Sequence, residues 1–399
     1  MREADFKKDP FRWAATPKFR LGLHRELNLK LKDLSERFSD LHQFNFHDLA
    51  SDSYRLGIVA GGVPYSVVRD MLDLSGRSDI PVLKIGTPFP FPERLANEFM
   101  ERCDRVLVLE ETDTLIEYLL GERDRVLGRL SGHVPSEGEL VPDVIHSLLN
   151  RLLVQEGLEP IQGEDHSGVF DLVAGLDLPL RRPTLCPGCP HRASFYSIKK
   201  ASPKAIYTSD IGCYTLGLNL GGVDTCLDMG GAITMASGFY HAFEQDCADQ
   251  PVVATIGDST FFHSGPAGLL NAVYNDSRFI LVILDNLTTA MTGMQPTPAL
   301  GIRADGSMGK AIPLERVVAG CGVDFIEVVD PYDIKAMTEL MKKASEYVNS
   351  PDGGVAVIIA RHPCVIAYRE DALAGRKTIE VTDDCVDSVS YTHLTLPTN

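Results

Sequence analysis

Residues 252–259, VVATIGDS, and residues 279–286, FILVILDN, decide the fold of this chain. Each is a short apolar run closed by polar residues, the pattern of a strand buried within a parallel sheet. Val252–Ile256 delivers Gly257 and Asp258 to its end, and Phe279–Leu284 delivers Asp285 and Asn286. Between them, Pro266–Tyr274 reads as a helix. One carboxylate and one amide oxygen therefore reach neighbouring carboxyl-terminal strand edges beside a helix N-terminus. Mg²⁺ takes hard oxygen ligands in a near-octahedral shell and shares them with substrate phosphates. The helix start and its Gly-rich turn offer N–H groups to those phosphates, so the pattern points to a magnesium–diphosphate. The competing reading is an ordinary acidic turn in a strand–turn–helix unit. It accounts for Gly257-Asp258-Ser259 alone, but not for the second polar strand end or the loop Thr292-Gly293-Met294-Gln295-Pro296.

Outward from this core the same alternation continues. Strands are expected at Ala205–Thr208, Phe325–Val328 and Val355–Ile359, with helices at Gly231–Phe243 and Ile334–Val348. An earlier set alternates in the same way: strands Leu56–Ala60, Val82–Ile85 and Arg105–Leu109, and helices Pro64–Leu74, Glu93–Arg102 and Thr114–Leu120. Strand–helix alternation argues for parallel sheets, so the fold class is α/β with two such domains, 46–160 and 176–375. Residues 1–45 read as an arm with a connecting helix, since Leu23, Leu27, Leu31, Leu34, Phe38 and Leu41 recur at helical spacing. Gly132–Asp177 is less regular, and Pro160–Gly168 is a turn-rich linker. The final stretch, SVSYTHLTLPTN over 388–399, differs in style from everything before it and resembles a translated sequencing adapter. It is read as a non-native tail and set aside from fold reasoning.

The 399 residues carry 44% hydrophobic and 23% charged side chains, an ordinary globular balance. A net charge of −17 with no Lys/Arg-rich run argues against nucleic acid or an anionic membrane as partner. No apolar run approaches the ~18 residues of a membrane span, and Met1–Pro10 lacks an apolar signal core. A cytoplasmic protein is expected, in which the nine cysteines are free thiols or metal ligands rather than disulfides.

Cys186-Pro187-Gly188-Cys189 is a C-x-x-C turn, weak evidence by itself. Cys213, in Asp210-Ile211-Gly212-Cys213, and Cys364, in His362-Pro363-Cys364, follow expected strand ends, where a parallel sheet gathers its sites. Four converging thiolates hold [4Fe–4S] or Zn²⁺; unconnected buried thiols are the third possibility. Cys103, Cys226, Cys247 and Cys321 stand in helical or apolar contexts and read as core or surface thiols.

The spacing of Gly257-Asp258-Ser259 and Asn286 resembles the thiamine diphosphate motif, with Ser259 in place of a second Gly. The segments LCPGCPHRASF, TSDIGCYTLG, IGDSTFFHSG, LDNLTTAMTGMQPTP and RHPC, in that order, resemble the thiamine diphosphate domain of 2-oxoacid:ferredoxin oxidoreductases. FKKDPFRWAATP, LGIVAGGVPYSVV, VLKIGTPFPFPERL and VLVLEETD resemble the transketolase C-terminal-like domain of the indolepyruvate ferredoxin oxidoreductase α subunit, and the likeness covers roughly residues 5–385.

The resemblance implies that Asp258, the Asn286 side chain and the Thr288 carbonyl bind Mg²⁺, and that Ile211, Gly212, Cys213 and Tyr214 touch the cofactor. It assigns Gly257, Asp258 and Ser259 to the diphosphate turn, Thr292-Gly293 to the loop above it, and Cys186, Cys189, Cys213 and Cys364 to a [4Fe–4S] cluster. It further implies a β subunit, ferredoxin, coenzyme A and an aryl 2-oxoacid as partners, in a hetero-oligomer. The family's pyrimidine-binding domain has no counterpart here. Of its ferredoxin-like domain only the start is expected, over 376–387, ending near Cys385. The chain thus reads as an internal fragment, expected to bind the cofactor weakly and not to turn over alone.

Thiamine chemistry decarboxylates a 2-oxoacid by accepting its electron pair. His263, just after the metal turn, is the candidate proton donor, although an unsupported histidine is more often a packing residue. His191 is expected to bond a thiolate or a nearby carbonyl, and His362 to shape the Pro363 turn. Glu110-Glu111 reads as a solvated strand-end pair. The rival functions are a thiamine-dependent non-redox decarboxylase or acyl synthase, and a zinc-stabilised scaffold without catalysis.

Overall fold

Alternating apolar residues explain how the central strands of each sheet feed two cores at once. In a computed structural model, residues 6–122, 124–163, 167–176, 178–179, 182–246 and 250–373 are described. Cys247, Cys385 and the stretches expected at 376–387 and 388–399 lie outside them. The chain divides into two compact units, Met1–Leu178 and Pro179–Asn399.

The first unit runs α1 (Pro10–Trp13), α2 (Pro17–Ser39), β1 (Asn45–His47), β2 (Tyr54–Ala60), α3 (Gly62–Leu74), β3 (Val82–Ile85), α4 (Glu93–Met100), β4 (Cys103–Leu109), α5 (Ile116–Leu120), β5 (Val126–Leu127), α6 (Pro142–Gln155) and α7 (Ser167–Ala174). Its sheet has the order β1-β3-β2-β4-β5. All pairings are parallel except that of the edge strand β1 with β3. Leu56, Ile58 and Ala60 pack with Val68 and Leu72 of α3 and with α6, while Val59 packs with Leu95 and Phe99 of α4.

Two sequence readings change here. The segment taken as irregular contains the 14-residue α6, whose Ile145, Leu148, Leu149, Leu152 and Leu153 are buried. Glu110 is not solvated: it is buried, and its carboxylate accepts the backbone N–H groups of Leu115, Ile116 and Glu117 at 3.0, 2.7 and 2.9 Å. It satisfies the orphan donors at the start of α5.

The second unit runs α8 (Pro190–Ala201), β6 (Ile206–Ser209), a 3₁₀ helix (Cys213–Leu220), α9 (Ala232–Gln245), β7 (Val252–Gly257), α10 (Asp258–Tyr274), β8 (Ile280–Asp285), α11 (Leu314–Gly320), β9 (Phe325–Val329), α12 (Ile334–Val348), β10 (Ala356–Arg361) and α13 (Arg369–Leu373). The sheet order is β6-β7-β8-β10-β9, parallel throughout. Leu281 and Ile283 of β8 face α9, α10 and α11, whereas Val282 and Leu284 face α8 and α12. Right-handed crossovers produce this division. Steps in one direction along the sheet keep their helices on one face, and the step back from β9 to β10 puts α12 on the other. Helix α10 starts at Asp258 and carries Pro266 in its interior, earlier than the sequence reading placed it. An internal proline forfeits one backbone hydrogen bond, and the packing of Phe261, Leu269 and Ala272 against the sheet holds the helix together across it.

Candidate functional site

Parallel strands deliver their carboxyl ends to one edge, and that edge of the second unit collects its polar residues. β6 is followed by Asp210, β7 by Asp258, β8 ends in Asp285 and is followed by Asn286, and β10 by His362-Pro363-Cys364. The backbone beyond β10 continues beside β8: His362 N–H donates to the Asp285 carbonyl at 3.0 Å and Cys364 N–H to the Asn286 carbonyl at 3.1 Å.

A cavity of about 110 Å³ opens at this edge, lined by His191, Ile211, Gly212, Cys213, Tyr214, Met229, Gly257, Asp258, Ser259, Thr260, Leu284, Asn286 and the segment 288–292. Gly293 follows this segment at φ +118°. The loop is closed by reciprocal bonds between Thr289 and Gln295 (2.9 Å) and between Met294 and Thr289 (3.0 Å). Leu287, between Asn286 and Thr288, is held at φ 63°, a strained conformation for a residue with a Cβ and one that clusters at functional sites.

Asp258 is the first residue of α10 and is buried, with its Oδ2 left without a hydrogen-bond partner. Burial first, and the neighbouring Asp285 second, push its carboxyl up to about 8. A buried, partnerless carboxyl oxygen costs free energy that a cation offsets. Asp285, equally buried, is paired with Arg361 at 2.6 Å, and Arg361 also reaches Glu315 at 2.7 Å. Burial works against the Arg361 charge, but the bonds to Glu315 and Asp285 outweigh it and raise its pKa.

The Asn286 amide is held at both ends: Oδ1 accepts from Thr288 N–H at 3.2 Å, and Nδ2 lies 3.3 Å from His191 Nε2. The thiolate partner expected for His191 is met by its backbone N–H, which bonds the Cys189 thiol, while its ring meets this amide. Burial pushes the imidazole down to about 4, so the ring is neutral. Ser259 accepts a hydrogen bond from Thr289 at 2.7 Å and ties the turn to the loop.

Tyr214 stands between two glycines. A Cβ on Gly212 would lie 2.4 Å from its ring and one on Gly257 2.5 Å, so neither position admits a side chain while the ring stays put. The Tyr214 hydroxyl lies 3.1 Å from the Ile211 carbonyl and 3.1 Å from Thr260 Oγ1.

Sequence reasoning left Asp210 without a role. It is buried, its Oδ1 accepts from Gly230 N–H at 2.6 Å and Ile211 N–H at 2.9 Å, and Oδ2 has no partner. It thereby fastens the 211–214 loop to the segment that starts α9. An acid immediately after a strand end was the available signal. His263 is exposed on α10 and outside the cavity lining, so the proton role expected for it gains nothing from its position. His362 bonds Asp330 at 3.2 Å.

The cysteines expected as ligands are neighbours. Burial first, and then Cys186, Cys364 and Cys213, push the Cys189 thiol up to about 12; Cys213 is raised by burial and by Cys186 and Cys364. The turn is closed by Cys189 N–H on the Cys186 carbonyl at 3.1 Å, with Gly188 at φ +68°. Among the described residues, no three of His, Cys, Asp and Glu converge closely enough to hold a metal ion as they stand. Of the remaining cysteines, Cys103 and Cys321 are buried and Cys226 half-buried.

This sheet and cleft belong to a class. Residues 210–360 match the model of the C-terminal TPP-binding domain of thiamine pyrophosphate enzymes. Across its length the chain is 40% identical to the indolepyruvate oxidoreductase subunit IorA of Thermococcus kodakarensis, covering 90% of this chain and 57% of that protein. It is 41% identical to the IorA subunit of Pyrococcus abyssi (92% and 57%) and 38% identical to that of Archaeoglobus fulgidus (88% and 55%). The chain is similar to these IorA subunits over most of its own length. It spans between about half and three-fifths of the length of these relatives.

Proposed function

We propose that the second unit binds thiamine diphosphate through Mg²⁺ in a subunit of an indolepyruvate-type 2-oxoacid:ferredoxin oxidoreductase. The observation that carries this reading is Asp258: a buried carboxyl with an orphaned oxygen, at a helix N-terminus, facing a cleft. A divalent cation is the partner it lacks, and Asn286 Oδ1 and the Thr288 carbonyl are the hard oxygen donors to complete it. Ile211, Gly212, Cys213 and Tyr214 would flank the cofactor, and Gly257, Ser259, Thr292 and Gly293 would enclose its diphosphate, where the N–H groups opening α10 favour negative charge.

When bound, thiamine diphosphate supplies a carbon nucleophile and an electron sink for decarboxylating a 2-oxoacid. The chain's own part is to orient and exclude water. The bracketed Tyr214 ring holds the 211–214 loop, Asp210 anchors that loop from behind, and the 288–295 hairpin covers the other side. The neutral His191 adds no charge to the cleft.

Cys186, Cys189, Cys213 and Cys364 would hold a [4Fe–4S] cluster. The four thiols lie within electrostatic range of one another, and four cysteines are the ligand set that such a cluster takes. The reading extends to an aryl 2-oxoacid, coenzyme A, ferredoxin and a β subunit as partners in a cytoplasmic hetero-oligomer, by analogy with the family. Among the described residues no helix is long and apolar enough to cross a membrane. The deciding experiment is anaerobic purification with iron and acid-labile sulfide assays, together with thiamine diphosphate titrations of wild type and Asp258→Ala with and without Mg²⁺. Iron, sulfide and Mg²⁺-dependent binding lost in Asp258→Ala are expected. A colourless protein that binds thiamine diphosphate points to the non-redox decarboxylase, and equal binding by both proteins overturns the metal assignment.

A further inference from the structure

An amide ligates a cation only through its oxygen, so a metal-binding asparagine works only if something decides which end of the amide faces the metal. Here two contacts decide it. Thr288 N–H identifies the atom 3.2 Å away as oxygen, which leaves Nδ2 as the atom 3.3 Å from His191 Nε2. Nδ2 is a donor, so Nε2 accepts, and the ring proton sits on Nδ1. Asn286 and His191 are both buried, and no bulk water competes for this contact. His191 is placed by the second residue of α8, the helix capped by Cys189, and its ring meets the Tyr214 ring edge-on at 6.1 Å.

We propose that His191 is a positioning residue for the metal site: by accepting from Asn286 Nδ2 it locks the amide with Oδ1 as the end available to Mg²⁺. This rests on reading the cleft as a Mg²⁺–diphosphate site. Without the acceptor, the amide loses its anchor on one side, and rotation presents NH₂ groups to the cation. The role also explains a buried imidazole whose Nε2 faces an uncharged amide rather than an acid.

The test is Mg²⁺-dependent thiamine diphosphate binding by calorimetry, with the metal-free unfolding midpoint measured on the same preparations of the full chain. His191→Leu and His191→Phe keep apolar volume and remove the acceptor; His191→Gln keeps an acceptor. Loss of an outer-shell partner typically weakens metal affinity about 10–100-fold. The expected result is a loss of that size in the leucine and phenylalanine variants, larger than any lowering of their metal-free midpoint accounts for, and substantial recovery with glutamine. Wild-type affinity in His191→Leu, or losses in all three variants that track the midpoint, would overturn the proposal, as would failure of both apolar variants to fold. Asp258→Ala is the control: if it binds like wild type the cleft reading itself fails, whereas a weak Asp258→Ala beside an unaffected His191→Leu removes only this inference.

Discussion

Asp258 and Asp285 bury their carboxyl groups beside one another at adjoining strand ends, and among the described residues only Asp285 has a guanidinium, that of Arg361, at hydrogen-bonding distance. The sheet therefore holds one compensated and one uncompensated acid. Asp258 rises from the usual 3.8 to about 8, through burial first and Asp285 second. Because its folded pKa lies above its unfolded one, the group favours folding below about pH 4, and that contribution fades as pH rises toward 8. Metal-free protein should lose thermal stability between pH 5 and 8, and Asp258→Asn should flatten that slope. Mg²⁺ with thiamine diphosphate should reverse it in wild type alone. Parallel pH profiles for wild type and Asp258→Asn in chelator would contradict the assignment.

Arg361 is the positive charge in this pair, and Asp285 is its buried partner. Removing one member of a buried ion pair costs about 3–5 kcal/mol when both are buried. The Arg361 side chain is 34% exposed, so Arg361→Met should cost less, roughly 2–3 kcal/mol by the same reasoning. Asp285→Asn in that background should restore part of the loss, because it removes the stranded charge. Denaturant unfolding of the four proteins of this double-mutant cycle measures the coupling.

The bracketing of Tyr214 predicts a steric phenotype. A Cβ at Gly257 would lie 2.5 Å from the Tyr214 ring. Gly257→Ala should therefore displace the 211–214 loop and weaken thiamine diphosphate binding, with a smaller effect on stability. Tyr214→Phe removes only the hydroxyl contacts to Ile211 and Thr260, at a cost of about 1 kcal/mol each. Comparing binding and unfolding of both variants separates ring position from hydroxyl bonding.

Thiol chemistry gives a further check. Burial and the neighbouring thiols hold the Cys189 thiol at about 12, so Cys189 in the empty set should react slowly with alkylating agents near neutral pH. After anaerobic reconstitution, wild type should carry about four irons and four sulfides per chain. Cys189→Ser, or Cys364→Ser, should lower that content sharply. Cys226→Ser should not. Full iron loading of the first two would remove these cysteines as ligands.

Much of the fold was legible because buried parallel strands are nearly all apolar and end abruptly in polar residues. The two segments quoted first became β7 and β8 within a residue of their expected limits. Helix α6 is readable in principle, since Ile145, Leu148, Leu149, Leu152 and Leu153 follow the 3.6-residue period, but turn residues on both sides mask it. Pro266 misled in the opposite direction, since its presence argues for a helix start and packing overrode it. Glu110 was misread because a helix N-terminus that consumes a carboxylate is visible only once the strand and α5 have been brought together.

Local sequence by itself determined the long apolar strands, though not the short β1 and β5, together with the polar residues at their ends and the family resemblance, because side-chain periodicity and motif spacing are properties of neighbours along the chain. Only the tertiary structure decided that His191 meets Asn286, that Tyr214 sits between Gly212 and Gly257, that Asp258 keeps one oxygen unsatisfied while Asp285 pairs with Arg361, and that His263 stays outside the cleft. Those are contacts across tens of residues, set by the order of the strands and the face each helix covers. No local pattern encodes which of two adjoining acids receives the single arginine.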